Sequence, residues 1–200
     1  MTNSKTIEYY NKNAAQFTDS TILAEVHDIQ KKFLGYLDKG ASILDFGCGS
    51  GRDTKYFLEN GYKVEAIDGS EELCKLASEY AGINVQHMFF QDLCVTDKYD
   101  GIWACSSILH LNKAELRPVL GKMLTALKKA GIIYSSFKYG DFEGERKGRY
   151  FTDFTKDTFE EFIKDFDGIR IVDEWISQDV RPDRGDEKWL NLILQKVATN

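Results

Sequence analysis

The chain has 200 residues and a net charge of −6, with 42% hydrophobic and 29% charged residues. This length suits one domain with an enclosed core, and the composition is typical of a globular protein rather than a disordered, collagen-like or disulfide-rich one. The negative charge argues against sequence-independent binding to nucleic acid or an anionic membrane, because both depend on summed positive charge.

The cysteines and the N-terminal sequence indicate a cytoplasmic protein. The opening stretch "MTNSKTIEYYNKN" lacks the apolar segment of a signal peptide, and no later run is long enough to span a bilayer. The cysteines show no zinc-like spacing, so we expect free thiols and no metal. These four cysteines are Cys48, Cys74, Cys94 and Cys105.

Helical and extended patterns alternate along most of the chain. Two helices are predicted first, over residues 4–19 and 20–40, the second ending at Gly40. The strands that follow are predicted over 41–46, 62–68, 83–90, 99–105 and 131–138, and the helices between them over 51–60, 71–80 and 113–129. Such alternation is typical of βαβ units on a mostly parallel sheet, so the expected fold class is α/β and doubly wound.

The pattern changes after the fifth strand. Residues 139–153 contain three glycines and mixed charges, which predicts a loop that leaves the sheet, and a helix is predicted over 156–165. Two extended segments, 169–177 and 188–196, have no helix between them. We therefore expect these last two strands to pair antiparallel.

The stretch "DFGCGSG" follows the first predicted strand and has glycine at positions 47, 49 and 51. In a doubly wound sheet the first strand-to-helix turn lies at the ligand site. The dinucleotide pattern GxGxxG has its third glycine one position later, and glycines alone are weak evidence. Asp45 adds evidence about the ligand's charge, because a carboxylate at the strand end disfavours a pyrophosphate and favours a positively charged ligand. S-adenosylmethionine, with an ammonium, a sulfonium and no phosphate, fits this requirement.

Two further acids follow the next two strands. Asp68 stands where an acid that binds ribose hydroxyls is expected, and Asp92 and Leu93 are placed to bind adenine through a carboxylate and a backbone N–H. Each acid alone could equally cap a loop.

Four segments in order, "ILDFGCGSGRD", "VEAIDGS", "FQDL" and "YDGIWACSSILHL", resemble the motifs of class I S-adenosylmethionine-dependent methyltransferases, and are similar to small members linked to tellurite resistance and quinone pathways. The resemblance implies a Rossmann-like sheet of seven strands with an antiparallel last strand, helices on both faces and an N-terminal helical lid. It implies one domain over 1–200, divided into a lid (1–40), a cofactor-binding core (41–138) and a substrate side (139–200).

By the same resemblance the cofactor is S-adenosyl-L-methionine. Tyr9 or Tyr10 would close over its methionine carboxylate, although paired tyrosines also serve simple helix packing. Cys48 is interpreted as a small spacer and not as a nucleophile. The full predicted cofactor site comprises Tyr10, Asp45, Gly47, Cys48, Gly49, Gly51, Asp68, Gly69, Asp92, Leu93 and Cys105.

The acceptor site is expected beside the fourth strand and under two cationic loops. His110 is the candidate base, or alternatively a histidine that bonds backbone. The predicted substrate residues are Ser106, Lys138, Arg149, Tyr150 and Arg181. Arginine forks there would suit a carboxylate or phosphate, whereas the alternative is solvated loops with local ion pairs. Trp189 is expected to pack the last strand.

The leading hypothesis is methyl transfer from S-adenosyl-L-methionine to an oxygen, nitrogen or sulfur atom of a small molecule, with an anionic molecule as one option. Base-methylating enzymes carry an Asn-Pro-Pro-Tyr-like motif or a Pro-Cys pair that this chain lacks, so a nucleic-acid acceptor is not expected. The alternatives are an NAD(P)-dependent oxidoreductase on the same sheet and a non-catalytic protein that binds S-adenosylmethionine or S-adenosylhomocysteine. Neither the acceptor nor the oligomeric state follows from any motif.

Overall fold

The computed structural model describes residues 3–181 and 184–198. Its helices are α1 Asn3–Thr21, α2 His27–Leu34, α3 Arg52–Glu59, α4 Glu71–Ala81, α5 Lys113–Ala126 and α6 Lys156–Ile163. Its strands are β1 Ser42–Phe46, β2 Lys63–Asp68, β3 Gln86–His87, β4 Tyr99–Ala104, β5 Leu127–Lys138, β6 Glu143–Arg146, β7 Arg149–Thr152, β8 Ile169–Gln178 and β9 Lys188–Lys196. None of the helices in these two ranges has the length and apolar character needed to cross a membrane.

Seven strands form one sheet in the order β3-β2-β1-β4-β5-β9-β8. The pairs from β3 through β5 are parallel, and β9 is antiparallel to both of its neighbours. This confirms the predicted Rossmann-like sheet with an antiparallel last strand. The strand order reverses between β1 and β4, so the carboxyl ends of these two strands flank the switch point of the fold.

Helices cover both faces because neighbouring residues of the central strands point to opposite sides. In β4, Ile102 belongs to the cluster that packs under α5 and α6, whereas Trp103 belongs to the cluster under α2 and α3. The Trp103 ring stacks on Tyr134 of β5 with centroids 4.1 Å apart. These fully buried contacts fix the ends of β4 and β5, which carry part of the site.

The second helix was predicted over 20–40, but α2 spans only His27–Leu34, because α1 continues to Thr21 and the helix ends at Gly35 rather than at Gly40. Three later elements also differ from the sequence prediction. The third strand pairs over only two residues, because the chain turns into a short 3-10 helix at Phe90–Asp92. The helix predicted to residue 129 ends at Ala126, since Leu127 is buried and pairs with Tyr99 in the sheet.

The third difference is the predicted loop 139–153, which contains the antiparallel hairpin β6–β7. Its two turn residues, Lys147 and Gly148, both have positive φ, as tight hairpin turns require. The hairpin extends over the same edge of the sheet as α1.

The N-terminal helix α1 is docked by polar contacts to both of its neighbours. The Oγ of Ser70, at the start of α4, donates to Oδ1 of Asn11 at 2.7 Å. The backbone N–H of Tyr150 in the hairpin donates to Oγ1 of Thr6 at 3.1 Å. Helix α1 therefore lies over the carboxyl edge of the sheet, in the place expected of a lid.

Candidate functional site

A large cavity opens at the carboxyl edge of the sheet, under α1 and the hairpin. It encloses about 1480 Å³ together with the solvent at its mouth. The ends of β1, β2 and β4 contribute residues 47–50, 68–69 and 105–107 to its wall. The cavity thus lies at the switch point, where doubly wound folds bind ligands.

Four amide N–H groups of the glycine turn after β1 are already bonded within the protein. The N–H groups of Gly47 and Cys48 both donate to the carbonyl of Ile67, at 2.9 and 3.0 Å, and that of Gly51 donates to the carbonyl of Cys48 at 3.0 Å. The N–H of Gly49 donates to Oδ2 of Asp68 at 2.9 Å. A phosphate cradle needs free N–H donors, so this turn is unsuited to a pyrophosphate.

Two of the three glycines are required by protein packing. Gly47 has φ +87°, and a Cβ there would stand 2.5 Å from Cβ of Ser107. Gly51 has φ +78°, lies outside the cavity wall, and lets α3 approach α4, where a Cβ would meet Ala77 at 3.1 Å. Gly51 was predicted to contact the ligand, but in the structure it packs against α4 and lies outside the cavity wall.

Asp45 lies behind the cavity wall rather than on it. Its side chain is buried, and its Oδ2 accepts a hydrogen bond from Oγ1 of Thr54 at 2.5 Å. Burial, and then the charge of Asp53, raise the pKa of the Asp45 carboxyl. Asp45 was expected to contact the ligand's positive charge, but β1 carries its side chain toward the first turn of α3, where it bonds Thr54 instead of lining the cavity.

Asp68 is the acid that meets both the glycine turn and the cavity. Its two carboxylate oxygens accept from the N–H groups of Gly49 at 2.9 Å and Ser70 at 2.8 Å. Burial raises the pKa of this carboxyl, and the two N–H donors oppose the rise. Each oxygen keeps a second lone pair, and the group lines the cavity, so it can also accept hydrogen bonds from a ligand diol.

Asp92 and Leu93 lie outside the cavity wall. Asp92 is exposed in the short 3-10 helix, and the N–H of Leu93 points back to the carbonyl of Phe90 at 3.4 Å. Because β3 ends early, the residues that reach the wall here are Phe89 and Phe90. Their aromatic rings are the contacts that sequence reasoning missed.

Asp53 is a second acid of the wall that sequence reasoning did not single out. It is buried and accepts hydrogen bonds from Arg52, from Nε2 of Gln30 at 2.6 Å and from Nε1 of Trp103 at 2.8 Å. Burial alone would raise its pKa, but the Arg52 guanidinium and the other donors lower it, so Asp53 is a carboxylate. The "GRD" that ends the glycine motif is the only sequence signal for it.

Tyr10, His110 and Arg149 form one hydrogen-bonded chain inside the cavity. The Oη of Tyr10 is 2.9 Å from Nε2 of His110, and Nη1 of Arg149 donates to the same Oη at 3.2 Å. Nδ1 of His110 is 2.7 Å from the carbonyl oxygen of Tyr150. Burial lowers the pKa of His110 to about 4, so its ring is neutral at physiological pH.

The candidate residues Tyr9 and Tyr150 do not reach the cavity wall with their side chains. The Tyr9 ring packs under Arg149, whose guanidinium carbon is 4.6 Å from the ring centroid. The Tyr150 hydroxyl turns outward and donates to Glu143 at 3.3 Å. Because alternate residues of β7 face opposite ways, Arg149 points inward and Tyr150 contributes its backbone carbonyl instead.

The other predicted cations line the cavity but are paired with acids. Lys138 forms an ion pair with Glu187 and lies over the ring of Trp189, which also lines the wall rather than only packing its strand. Arg181 binds Asp179 through Nε at 2.9 Å. Burial would raise the pKa of Asp179, yet the Arg181 bonds outweigh it and lower that pKa to about 2. Local ion pairs therefore account for these two cations.

Arg149 differs from them in having no carboxylate within ion-pair distance among residues 3–181 and 184–198. Its Nε is buried without a hydrogen-bond partner. Its guanidinium is packed between aromatic rings, 4.6 Å from Tyr9 and 5.2 Å from Phe151.

The remaining predicted residues, Cys48, Cys105 and Ser106, reach the cavity wall. Burial raises the pKa of the Cys105 thiol to about 11 and that of Cys48 well above its usual range, so both are neutral thiols. Ser106 has φ +52°, a strained value for a residue other than glycine, and its N–H donates to Oγ of Ser136 at 2.8 Å. Cys105 and Ser106 follow β4 directly and give its end a neutral surface.

Comparison with known proteins shows which proteins the chain is similar to. Residues 43–131 match the family described as "Methyltransferase domain". The chain is 27% identical over 168 residues to an uncharacterized methyltransferase of Anoxybacillus flavithermus, covering 76% of this chain and 79% of that protein. It is 26% identical over 135 residues to an uncharacterized methyltransferase of Staphylococcus carnosus, covering 64% of this chain and 65% of the relative.

The fold recurs in a solved structure with ligands bound. The 1,6-didemethyltoxoflavin-N1-methyltransferase of Burkholderia thailandensis, bound to 1,6-didemethyltoxoflavin and S-adenosylhomocysteine, has a TM-score of 0.76 to this chain. The identity is 23%, and the match covers 98% of this chain and 87% of that chain. At this identity the likeness establishes the shared fold.

Proposed function

We propose that the chain is a class I S-adenosylmethionine-dependent methyltransferase and that it methylates an oxygen, nitrogen or sulfur atom of a small anionic molecule; the match to the methyltransferase domain family, the methyltransferase relatives and the shared fold support this. The cofactor supplies an electrophilic methyl group on a sulfonium. Methyl transfer from a sulfonium is an in-line displacement, so the chain's task is to hold the nucleophile behind that methyl group in a dry pocket.

The residues of the turn fit this cofactor. We assign the ribose hydroxyls to Asp68, whose free lone pairs face the cavity, and the methionine part to the backbone of residues 47–49 and Cys105. Asp53, kept ionised by Arg52, supplies negative charge on the same wall, which favours a ligand with an ammonium and a sulfonium. Packing against the adenine ring is assigned to Phe89 and Phe90, and the adenine contacts expected of Asp92 and Leu93 are not assigned to them, because those two residues lie outside the cavity wall.

The observation that carries the proposal of an anionic acceptor is the state of Arg149. A guanidinium whose Nε is buried and unbonded is costly unless a ligand satisfies it, and a planar carboxylate or phosphate matches its fork. Lys138 and Arg181 add positive potential at the rim while remaining paired with their own acids. An acidic chain with the Arg149 guanidinium left without a carboxylate partner in the described part of its cavity therefore favours a small anion over a polyanion.

The acceptor class is tested with matched pairs of acceptors. 4-Hydroxybenzoate, 4-mercaptobenzoate and 4-aminobenzoate are incubated with the protein and S-adenosylmethionine beside their carboxamide analogues, and S-adenosylhomocysteine formation is measured. We expect turnover of the acids and little turnover of the amides. Equal turnover of both series contradicts the anionic acceptor, and so does the absence of turnover in a protein that binds S-adenosylhomocysteine.

Arg149→Gln should raise the acceptor KM without changing cofactor affinity. Loss of a charged hydrogen-bonding partner costs about 1.5–3 kcal/mol, which corresponds to roughly 10- to 100-fold. Lys147→Gln is the matched control, because it removes one positive charge from an exposed residue of the same hairpin. Equal effects of the two substitutions would show that only the summed charge of the hairpin matters.

A further inference from the structure

We infer that Tyr10 and His110 form a proton relay, in which the Tyr10 phenol takes the proton of the acceptor's nucleophilic group and passes its own proton to Nε2 of His110. The inference rests on the proposed function and deepens it, because it assigns the acceptor a protic nucleophile: a hydroxyl, a thiol or an N–H. It also gives the lid a chemical role besides enclosure.

The direction of the relay follows from the partners of the imidazole. A backbone carbonyl only accepts hydrogen bonds, so Nδ1 of His110, 2.7 Å from the Tyr150 carbonyl oxygen, carries the proton. The neutral ring therefore has a bare Nε2, and the phenol 2.9 Å away donates to it. The histidine tautomer is set by the hairpin.

The phenol oxygen has one place left for an acceptor. It donates its proton to His110 and accepts one hydrogen bond from Nη1 of Arg149, which leaves one lone pair in the cavity. Arg149 is also the group proposed to hold the acceptor's anion. One guanidinium thus orients the phenol and places the acceptor's nucleophilic atom beside it.

The transfer balances in atoms, electrons and charge. The S–CH3 bond breaks with its electron pair left on sulfur, and a bond forms between the acceptor atom and the methyl carbon. The acceptor's proton moves to Oη of Tyr10 as the phenol proton moves to Nε2 of His110. One positive charge leaves the sulfonium as one appears on the imidazole, so the net charge of the cavity does not change and the buried imidazolium is tolerated at that moment.

The charged and titratable groups around the pair come from several elements. Arg149 from the hairpin faces both rings and disfavours a second positive charge on His110. Asp68 from β2 and Tyr9 from α1 act on Tyr10 in the opposite sense to Arg149. Arg181 interacts electrostatically with Tyr10 but is paired with Asp179. His110 therefore rests neutral before the reaction and returns its proton to water once the product leaves.

Three separate elements assemble the relay. Tyr10 comes from α1, His110 from the loop after β4, and both Arg149 and the Tyr150 carbonyl from β7. The bond from the Tyr150 N–H to Thr6 ties α1 to that strand. The relay is complete only when the lid is docked.

The tautomer can be measured without any acceptor. In the complex with S-adenosylhomocysteine, the two-bond ¹H–¹⁵N NMR pattern of His110 should be that of the Nδ1–H tautomer from pH 6 to pH 8. Tyr10→Phe should shift the Nε2 resonance toward an unbonded nitrogen and keep the tautomer. An Nε2–H tautomer, or an Nε2 resonance unmoved by Tyr10→Phe, overturns the relay.

Turnover of the same acceptors gives the second test, with 4-(dimethylamino)benzoate as a nucleophile that has no proton to lose. At pH 7, Tyr10→Phe and His110→Gln should each lower kcat for the protic acceptors by about 100-fold, and the double variant should lower it no further. The loss should shrink as the pH approaches the acceptor's own pKa, and the tertiary amine should be unaffected. Tyr80→Phe, which removes an exposed phenol of α4, should match the wild type.

The outcomes separate the relay from the proposed function. A rate loss that is equal at all pH values and for the tertiary amine indicates a structural role and overturns the relay, as does unchanged kcat in Tyr10→Phe. In both cases wild-type turnover leaves methyl transfer intact. No turnover by the wild type, with intact binding of S-adenosylhomocysteine, overturns the acceptor class and the relay with it.

Discussion

The pKa values of two neighbouring acids, Asp45 and Asp53, are shifted in opposite directions by their surroundings. Asp45 has a hydroxyl partner and the charge of Asp53 nearby, so burial raises its pKa, whereas Asp53 has a guanidinium and two N–H donors that lower its pKa. The sequence places both at the glycine turn but does not show which one faces the ligand. That depends on side-chain direction at the end of β1, where Thr54 captures Asp45.

The raised pKa of Asp45 predicts a pH dependence of stability. The folded state holds this proton more tightly than the unfolded state, so the resulting stabilisation is present below the unfolded pKa and is lost as pH rises through the raised folded pKa. Urea unfolding from pH 5 to pH 8 should show the wild type losing stability relative to Asp45→Asn, by at most about 1.4 kcal/mol per pH unit. The exposed Asp19→Asn serves as control, and parallel curves for the wild type and Asp45→Asn contradict the prediction.

Substitutions of Asp68 and Asp92 test which of the two acids contacts the cofactor. Calorimetric titration with S-adenosylhomocysteine should show Asp68→Ala binding at least about tenfold more weakly than Asp92→Ala, because Asp68 lines the cavity and supports the Gly49 N–H as well. A larger loss in Asp92→Ala would place the adenine at the position that the sequence resemblance implied.

At the scale of elements, the periodicity of the sequence predicted the order of strands and helices. It did not predict the strand bounds that depend on pairing with a neighbouring strand. The alternation of strands and helices yields the sheet, and Asn112 caps α5 through a capping box as its sequence position suggests. The early end of β3 and the start of β5 at Leu127 depend on which partner strand is available. The hairpin has a local sequence signal, the turn pair Lys147-Gly148 between two segments of alternating residues. The glycines and mixed charges of 139–153 nevertheless led to the prediction of a loop.

The docking of α1 predicts a measurable protection. Thr6→Val keeps the shape of the buried side chain but removes the acceptor of the Tyr150 N–H, which costs about 1–3 kcal/mol of local stability. Amide hydrogen exchange in residues 3–21 should therefore become about tenfold faster or more. The exposed Ser4→Ala is the control, and unchanged exchange in Thr6→Val would mean that α1 is held by its apolar face alone.

At the scale of the whole molecule, the residues proposed to bind the ligands and move the proton all lie at the carboxyl edge of the sheet. His110 and Arg149 could be named from sequence, because histidines and arginines near strand ends are candidates wherever they occur. Their connection through Tyr10 could not, because it joins residues 100 and 139 positions apart through the docking of a helix and a hairpin. The same holds for Phe89 and Phe90, whose place in the wall depends on where β3 ends.

Thermal unfolding with S-adenosylmethionine, S-adenosylhomocysteine, NAD and NADP tests the central claim, that the turn after β1 holds an adenosyl sulfonium and not a dinucleotide. A ligand that binds only the native state stabilises it by about 2.7 kcal/mol at 100 times its Kd. We predict that the two adenosyl compounds raise the Tm and that the dinucleotides leave it unchanged. A Tm raised by NAD or NADP and unmoved by S-adenosylmethionine and S-adenosylhomocysteine would contradict the account.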